Sequence, residues 1–302
     1  MSKVWPGFHV ATGAVRRKDL AYMVIVNDKL AEQRKPNSFF MEWAAGTWGK
    51  AGDVKWSTVS MAVSRVPKEQ MCAVGEHGEV KMYGSKDDHL EQIADGKISP
   101  KGRGTMRCVR AIEGRIYAAG MDRQVYRRDG ENVWACLDES MRPPKDSEDV
   151  VGFESIDGFS AKDIYAVGWQ GAIWRYDGKK WKQLDSPTNT ILTGVCCAGD
   201  GNTYACGRRG LLLRGKGNAW KLVEHEATKQ DFWGVAWFGG KLYLSSLRQV
   251  FTLEAADELK PVDMEDDPAE SAYHLSTADG TLWSIGQGDI MAFDGKAWSR
   301  IE

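Results

Sequence analysis

Asp163-Ile164-Tyr165-Ala166-Val167-Gly168-Trp169-Gln170-Gly171-Ala172-Ile173-Trp174-Arg175-Tyr176-Asp177-Gly178-Lys179-Lys180-Trp181 is the stretch whose reading decides the fold. Asp163 to Val167 is rich in β-branched and aromatic residues, which suit a pleated, half-buried strand. The Gly168–Gly171 stretch interrupts it, and Ala172 to Tyr176 reads as a second strand. Asp177-Gly178 is the two-residue hairpin signal, because both central positions of that turn favour a positive φ. Trp181 then opens a third strand.

Variants of this unit recur. Ala73-Val74-Gly75, Ala118-Ala119-Gly120, Ala166-Val167-Gly168, Ala205-Cys206-Gly207, Leu244-Ser245-Ser246 and Ser284-Ile285-Gly286 fall into register, at spacings of 45, 48, 39, 39 and 40 residues. That is the period of a four-stranded propeller blade. Each unit has a leading strand rich in small residues, as in Met106-Arg107-Cys108-Val109-Arg110-Ala111 and Leu192-Thr193-Gly194-Val195-Cys196-Cys197. The fourth strand begins at or near Trp134, Trp181, Trp220 or Trp298 in four units. Inner strands are crowded near a ring's axis, whereas a large aromatic fills the widening gap between neighbouring blades further out.

Six units account for residues 57–302, and residues 1–56 make one divergent blade with strand-like runs at Phe8–Val15, Ala21–Val26, Phe39–Trp43 and Gly46–Trp56. The polar insertion Lys29–Asn37 reads as a loop. The expected fold is all-β, a single β-propeller domain over residues 1–302 with about seven four-stranded antiparallel blades; six is the alternative count. The last unit ends its own fourth strand at Ile301, so closure needs no strand from the N-terminus.

The units resemble the degenerate bacterial propeller repeats that read D-[IV]-[YW]-A-V-G-x-x-G-x-I-x-x-Y-D-G-x-x-W, loosely related to neuraminidase-like and photosystem-assembly-factor propellers. Asp163–Trp181 matches over its whole length; Asn202–Trp220 and Thr281–Trp298 match in part. The chain departs from the enzymes of that group. Tyr176-Asp177-Gly178-Lys179-Lys180-Trp181 lacks the leading hydroxyl and the Thr of an Asp-box, and neither the WD dipeptide nor the Kelch double glycine recurs. The resemblance therefore implies a fold and leaves the function open.

Composition narrows the classes. The 302 residues carry a net charge of -2, too little positive charge for a general nucleic-acid or membrane-surface binder. No apolar run is long enough to cross a bilayer, and Met1–Val10 has no apolar core of signal-peptide length. Six cysteines without a Cys-x-x-Cys pair fit buried free thiols in a reducing cytosol, so the expected location is cytoplasmic.

No catalytic or metal motif emerges. The five histidines, His9, His77, His89, His225 and His274, are scattered over separate units, and no glycine-rich phosphate loop precedes a helix. Neither a cofactor nor a metal is expected. The informative positions are the turns between second and third strands, which rim one mouth of the central channel together with the inter-blade loops. They carry Glu76 and His77; Asp122, Arg123 and Gln124; Trp169 and Gln170; Arg208 and Arg209; Arg248 and Gln249; Gln287 and Asp289. Turning needs Gly, Asn and Asp, not Arg, Trp and Gln. Arg and Trp are enriched where proteins bind one another, so His77, Asp122, Arg123, Trp169, Gln170, Arg208, Arg209, Arg248 and Gln287 are the expected partner-binding residues. The inter-blade loops add an acidic rim, with Asp138, Glu139, Asp146, Glu148 and Asp149, then Glu224 and Glu226, then Asp263, Glu265, Asp266, Asp267 and Glu270. Such a rim speeds the encounter with a basic protein.

The expectation is a non-enzymatic propeller, monomeric apart from its partner, that grips another protein. An immunity protein that neutralises a toxin would fit; no residue carries that assignment. The alternative is a glycan- or nucleotide-directed hydrolase or lyase. It requires Arg123, Arg208 and Arg248 to converge on one pocket, with a carboxylate or Tyr beside them.

Overall fold

The computed structural model describes residues 4–94, 99–144, 147–264 and 267–302. Its strands form seven four-stranded antiparallel sheets, each made of four consecutive strands. Seven blades is therefore the correct count. Blade 1 spans residues 8–54, and blade 7 ends with the strand Trp298–Arg300. The innermost strands are Phe8–Arg17, Thr58–Ser64, Met106–Ile112, Phe153–Ser160, Leu192–Cys197, Gly234–Phe238 and His274–Ala278. Together they wall a central cavity of about 580 Å³.

The repeated glycine has a steric cause. A Cβ on Gly168 would lie 2.1 Å from the carbonyl oxygen of Gly152, where the loop from the preceding blade crosses the strand end. Gly120, Gly207 and Gly286 would meet the carbonyls of Thr105, Ile191 and Ser271 at 2.6, 2.5 and 2.3 Å. No side chain fits there, so the A-V-G pattern is a close-approach requirement. In blade 6 the position is Ser246, whose buried hydroxyl accepts the N–H of Arg248 and of Gln249.

The outer tryptophans also have a structural reason: they reach back to the preceding blade. Trp181 donates its indole N–H to Leu137 O (3.1 Å), Trp134 to Glu91 (3.1 Å), and Trp220 packs edge-on against Tyr165. Trp48 of blade 1 does the same around the seam, donating to Glu302 O at 2.9 Å. Among the described residues the apolar core divides into seven clusters, one at each junction of neighbouring blades. A single blade is too thin to bury both faces, so the ring supplies the core.

Blades 7 and 1 share no strand. Their seam is held by Val15 N–H to Ser276 Oγ (2.9 Å), Val10 N–H to Gln287 O (3.0 Å) and the Trp43–Trp283 edge contact. The insertion after the second strand of blade 1 begins with a short helix, Asp28–Glu32, where a plain loop was expected; Asn27 caps it by accepting the Leu30 N–H. The fourth strands of blades 2 and 6, Asp88–Gln92 and Leu259–Pro261, form without a tryptophan.

Candidate partner-binding face at the channel mouth

The turns between second and third strands are tied to the inter-blade loops by backbone hydrogen bonds. Trp169 N donates to Gly152 O (3.0 Å), Arg208 N to Ile191 O (3.1 Å), Asp122 N to Val151 O (2.9 Å) and Met106 N to Glu76 O (2.8 Å). These pairings build one continuous loop face around the mouth. Gln170 and Arg209 occupy the same place in blades 4 and 5 and share a left-handed backbone, φ 58° and 59°. The following Gly171 and Gly210 press against the loop carbonyls of Thr188 and Thr228, so the strained residue is held out towards solvent.

The expected residues separate into two groups. His77, Gln170, Arg208, Arg209, Arg248 and Gln287 are exposed, and the three arginines form no ion pair among the described residues. Asp122 and Arg123 are committed inward instead. Asp122 accepts Arg103 Nε at 2.7 Å, and its carbonyl accepts Arg103 Nη2 at 2.9 Å. Arg123 stacks over Trp174 at 5.2 Å and donates to Met141 O at 3.3 Å. Burial lowers its pKa, offset in part by Asp122 and Asp149. Gln124 and Asp289 are fully internal: Gln124 bonds Gly104 O and Met121 O, and Asp289 accepts Ser271 and pairs with Arg300.

The acidic rim is thinner than expected. Asp138 is buried, accepting both Arg103 and Arg142 along with Val125 N, while Asp267 pairs with Arg300. Both carboxylates hold the loops in place. Glu139, Glu148, Asp149, Glu224, Glu226, Asp263 and Glu270 remain exposed, and Asp146, Glu265 and Asp266 lie outside the described residues. None of Arg123, Arg208 and Arg248 lines the central cavity. That cavity is therefore not an Arg123–Arg208–Arg248 pocket of the kind the hydrolase or lyase alternative requires.

A cluster that the turns alone did not reveal sits at the mouth itself. Trp169 donates its indole N–H to Glu154 Oε1 at 2.6 Å, and Arg107 Nε lies 3.4 Å from the same carboxylate. From the other side of the ring come Trp233 and Tyr273, with ring centroids 5.4 Å apart. Burial raises the Tyr273 phenol pKa; Glu154 raises it further and Arg107 opposes, which places this ring within electrostatic reach of the pair. Blades 3, 4, 6 and 7 thus bring Arg, Trp and Tyr together over one opening. The one signal in the sequence was the pair of arginines in Met106-Arg107-Cys108-Val109-Arg110-Ala111, a leading strand otherwise built of small and apolar residues.

Deeper in the channel, Arg110 faces Asp157 at 3.3 Å, and that carboxylate raises its pKa. Burial pushes Cys196 up to about 12 and raises Cys108 and Cys197. All six cysteines are free. Among the described residues no group of three His, Cys, Asp or Glu side chains could hold a metal ion.

Immune protein Tsi7 of Pseudomonas aeruginosa PAO1 is 49% identical to the chain over 306 residues, and the match covers 100% of both. The chain belongs to the Tsi7 immune-protein family. Like Tsi7, it is an immunity protein, here with a propeller fold. No protein-family model matches it. The fold is shared with the WD40 propeller domain of Doa1 (TM-score 0.68, 12% identity, 98% and 97% of the two chains covered). It is also shared with virginiamycin B lyase from Staphylococcus aureus (0.69, 10%, 97% and 96%) and with YCF48 bound to D1 peptide (0.65, 15%, 96% and 94%). At such identities the likeness concerns architecture alone. No helix among the described residues is long and apolar enough to cross a membrane.

Proposed function

We propose that this immunity protein neutralises a toxin by clamping it with the loop face around the channel mouth. Full-length identity to an immune protein carries the reading. The local chemistry agrees with it: Trp169, Trp233, Tyr273 and Arg107 gather at the centre, and Arg208, Arg209 and Arg248, unpaired among the described residues, stand on the surrounding turns. An aromatic and arginine centre with a polar surround is the pattern of a protein-binding hot spot. His77, Gln170 and Gln287 extend the face; Asp122 and Arg123 contribute by holding the blade 3 turn in shape. The protein acts as a monomer in the cytoplasm, where six free thiols stay reduced. It needs no cofactor and performs no chemistry, because blocking a toxin requires only occupancy.

Co-expression with the toxin it is proposed to neutralise tests this. The expected result is a 1:1 complex on size-exclusion chromatography and restored growth of the toxin-expressing cells. A toxin that stays active and elutes alone would overturn the reading.

A further inference from the structure

We propose that the channel mouth receives an acidic segment of the partner, whose carboxylates are held by Arg107 and Arg110. This rests on the protein-binding reading above and adds the chemistry of what enters the channel. The argument is a balance of donors and acceptors. Glu154 and Asp157 already have short partners, the Trp169 indole N–H at 2.6 Å and the Cys197 backbone N–H at 2.9 Å. The two guanidiniums are poorly matched in return. Arg107 has one contact at 3.4 Å, and Arg110 has two at 3.3 and 3.4 Å to one carboxylate.

A guanidinium carries five N–H donors in a fixed fork suited to a carboxylate. Most of those ten donors are unused, and the two side chains keep 38% and 37% of their surface open. A further donor, the Trp233 indole N–H, is buried beside the channel with no acceptor among the described residues. Arg107, Arg110 and Trp233 therefore present unused donors to the cavity, and an acceptor-rich anion complements them. The cavity volume of about 580 Å³ suits the tip of a loop or a chain end. Arg107 and Arg110 lie three residues apart on one strand, roughly 10 Å along its axis, so two acidic side chains can be held in sequence.

The probe is synthetic hexaglutamate, with hexalysine as control, titrated into the full chain at low ionic strength and followed by calorimetry and tryptophan fluorescence. Hexaglutamate binds and hexalysine does not. Arg107→Gln and Arg110→Gln each weaken binding about tenfold, while Arg107→Lys and Arg110→Lys keep part of it and guard against a folding defect. Asp157→Asn preserves the acceptor for Cys197 N and removes a competing charge, so it tightens binding, a sign that a purely structural role does not predict. Absence of hexaglutamate binding, equal binding by the Arg107→Gln/Arg110→Gln double variant, or weaker binding by Asp157→Asn overturns the proposal. The same double variant is then measured against the toxin. A wild-type complex unaffected by it overturns the channel inference and leaves the function intact. Failure of the wild type to bind toxin overturns the function, and the peptide titration then decides the channel alone.

Discussion

The same turn, between second and third strands, does opposite work in blade 3 and in blades 5 and 6. In blade 3, Asp122 and Arg123 point into the molecule. Asp122 and the buried Asp138 share Arg103, and Asp138 also takes Arg142. In blades 5 and 6, Arg208, Arg209 and Arg248 carry similar chemistry, yet they stand in solvent without a counter-charge among the described residues. The connections on both sides of blade 3 supply partners to its turn, Arg103 from the one before and Met141 O from the one after. The connections near blades 5 and 6 leave theirs open. Residue type at a turn therefore says little until the loop that covers it is known.

The largest effect should come from breaking the blade 3 network. Asp138→Ala leaves Arg103 buried beside an emptied site, and thermal or urea unfolding should show a loss of about 3–5 kcal/mol. Substituting Arg208 or Arg209 by Ala should change stability by less than about 0.5 kcal/mol. Equal losses in the two places would erase the distinction drawn here. Next in size, Trp169→Ala should weaken toxin binding by about 2 kcal/mol or more in calorimetry, because a partly buried indole at the centre of the face is lost. Arg123→Ala, which removes one stacking contact and one hydrogen bond, should cost about 1 kcal/mol of stability and leave toxin binding nearly unchanged.

Two half-buried histidines at blade junctions give a pH test with opposite signs. His274 donates to Ala11 O across the seam between blades 7 and 1, and burial holds its pKa down to about 4 against an ordinary 6.5. Its contribution to stability is complete above pH 6.5 and is lost as the pH falls towards 4. For His89, burial acts to lower the pKa, but hydrogen bonds to Glu91 and Asp87 outweigh it and leave the pKa raised. That stabilisation is complete below pH 6.5 and disappears as the pH rises through the folded value. Melting temperature against pH should lose its acid slope in His274→Gln and its neutral-range slope in His89→Gln. The same slopes in wild type and variants would show that neither imidazole is coupled to folding.

Much of the architecture was legible because it is imposed by steric necessity. Gly168 and its counterparts cannot carry a Cβ under the crossing carbonyl, and the outer tryptophans must span a gap of fixed width, so both recur at the blade period. Blade 1 was harder to read: its second strand ends at Asn27 and passes into a capped helix, where the other blades pass into a tight turn. The strands Asp88–Gln92 and Leu259–Pro261 lack the aromatic marker altogether. The site was only half legible. Trp169 could be singled out because its turn did not need it, but Glu154, Trp233 and Tyr273 begin different blades and meet only when the ring closes. Asp138 misled for the converse reason. It belongs to an acidic stretch, and only the fold shows that two arginines enclose it.

The central claim is that the loop face, and not the opposite one, binds the toxin. Calorimetry should compare the wild type with Arg208→Glu/Arg209→Glu/Arg248→Glu on the loop face and with Lys162→Glu/Lys179→Glu/Lys180→Glu on exposed turns of the opposite face. Each set reverses three exposed charges, so the two differ in placement alone. The loop-face variant should bind the toxin at least about tenfold more weakly, with the loss concentrated in the association rate and its salt dependence, and the opposite-face variant should match the wild type. Full affinity in the loop-face variant together with a loss in the other would contradict the account.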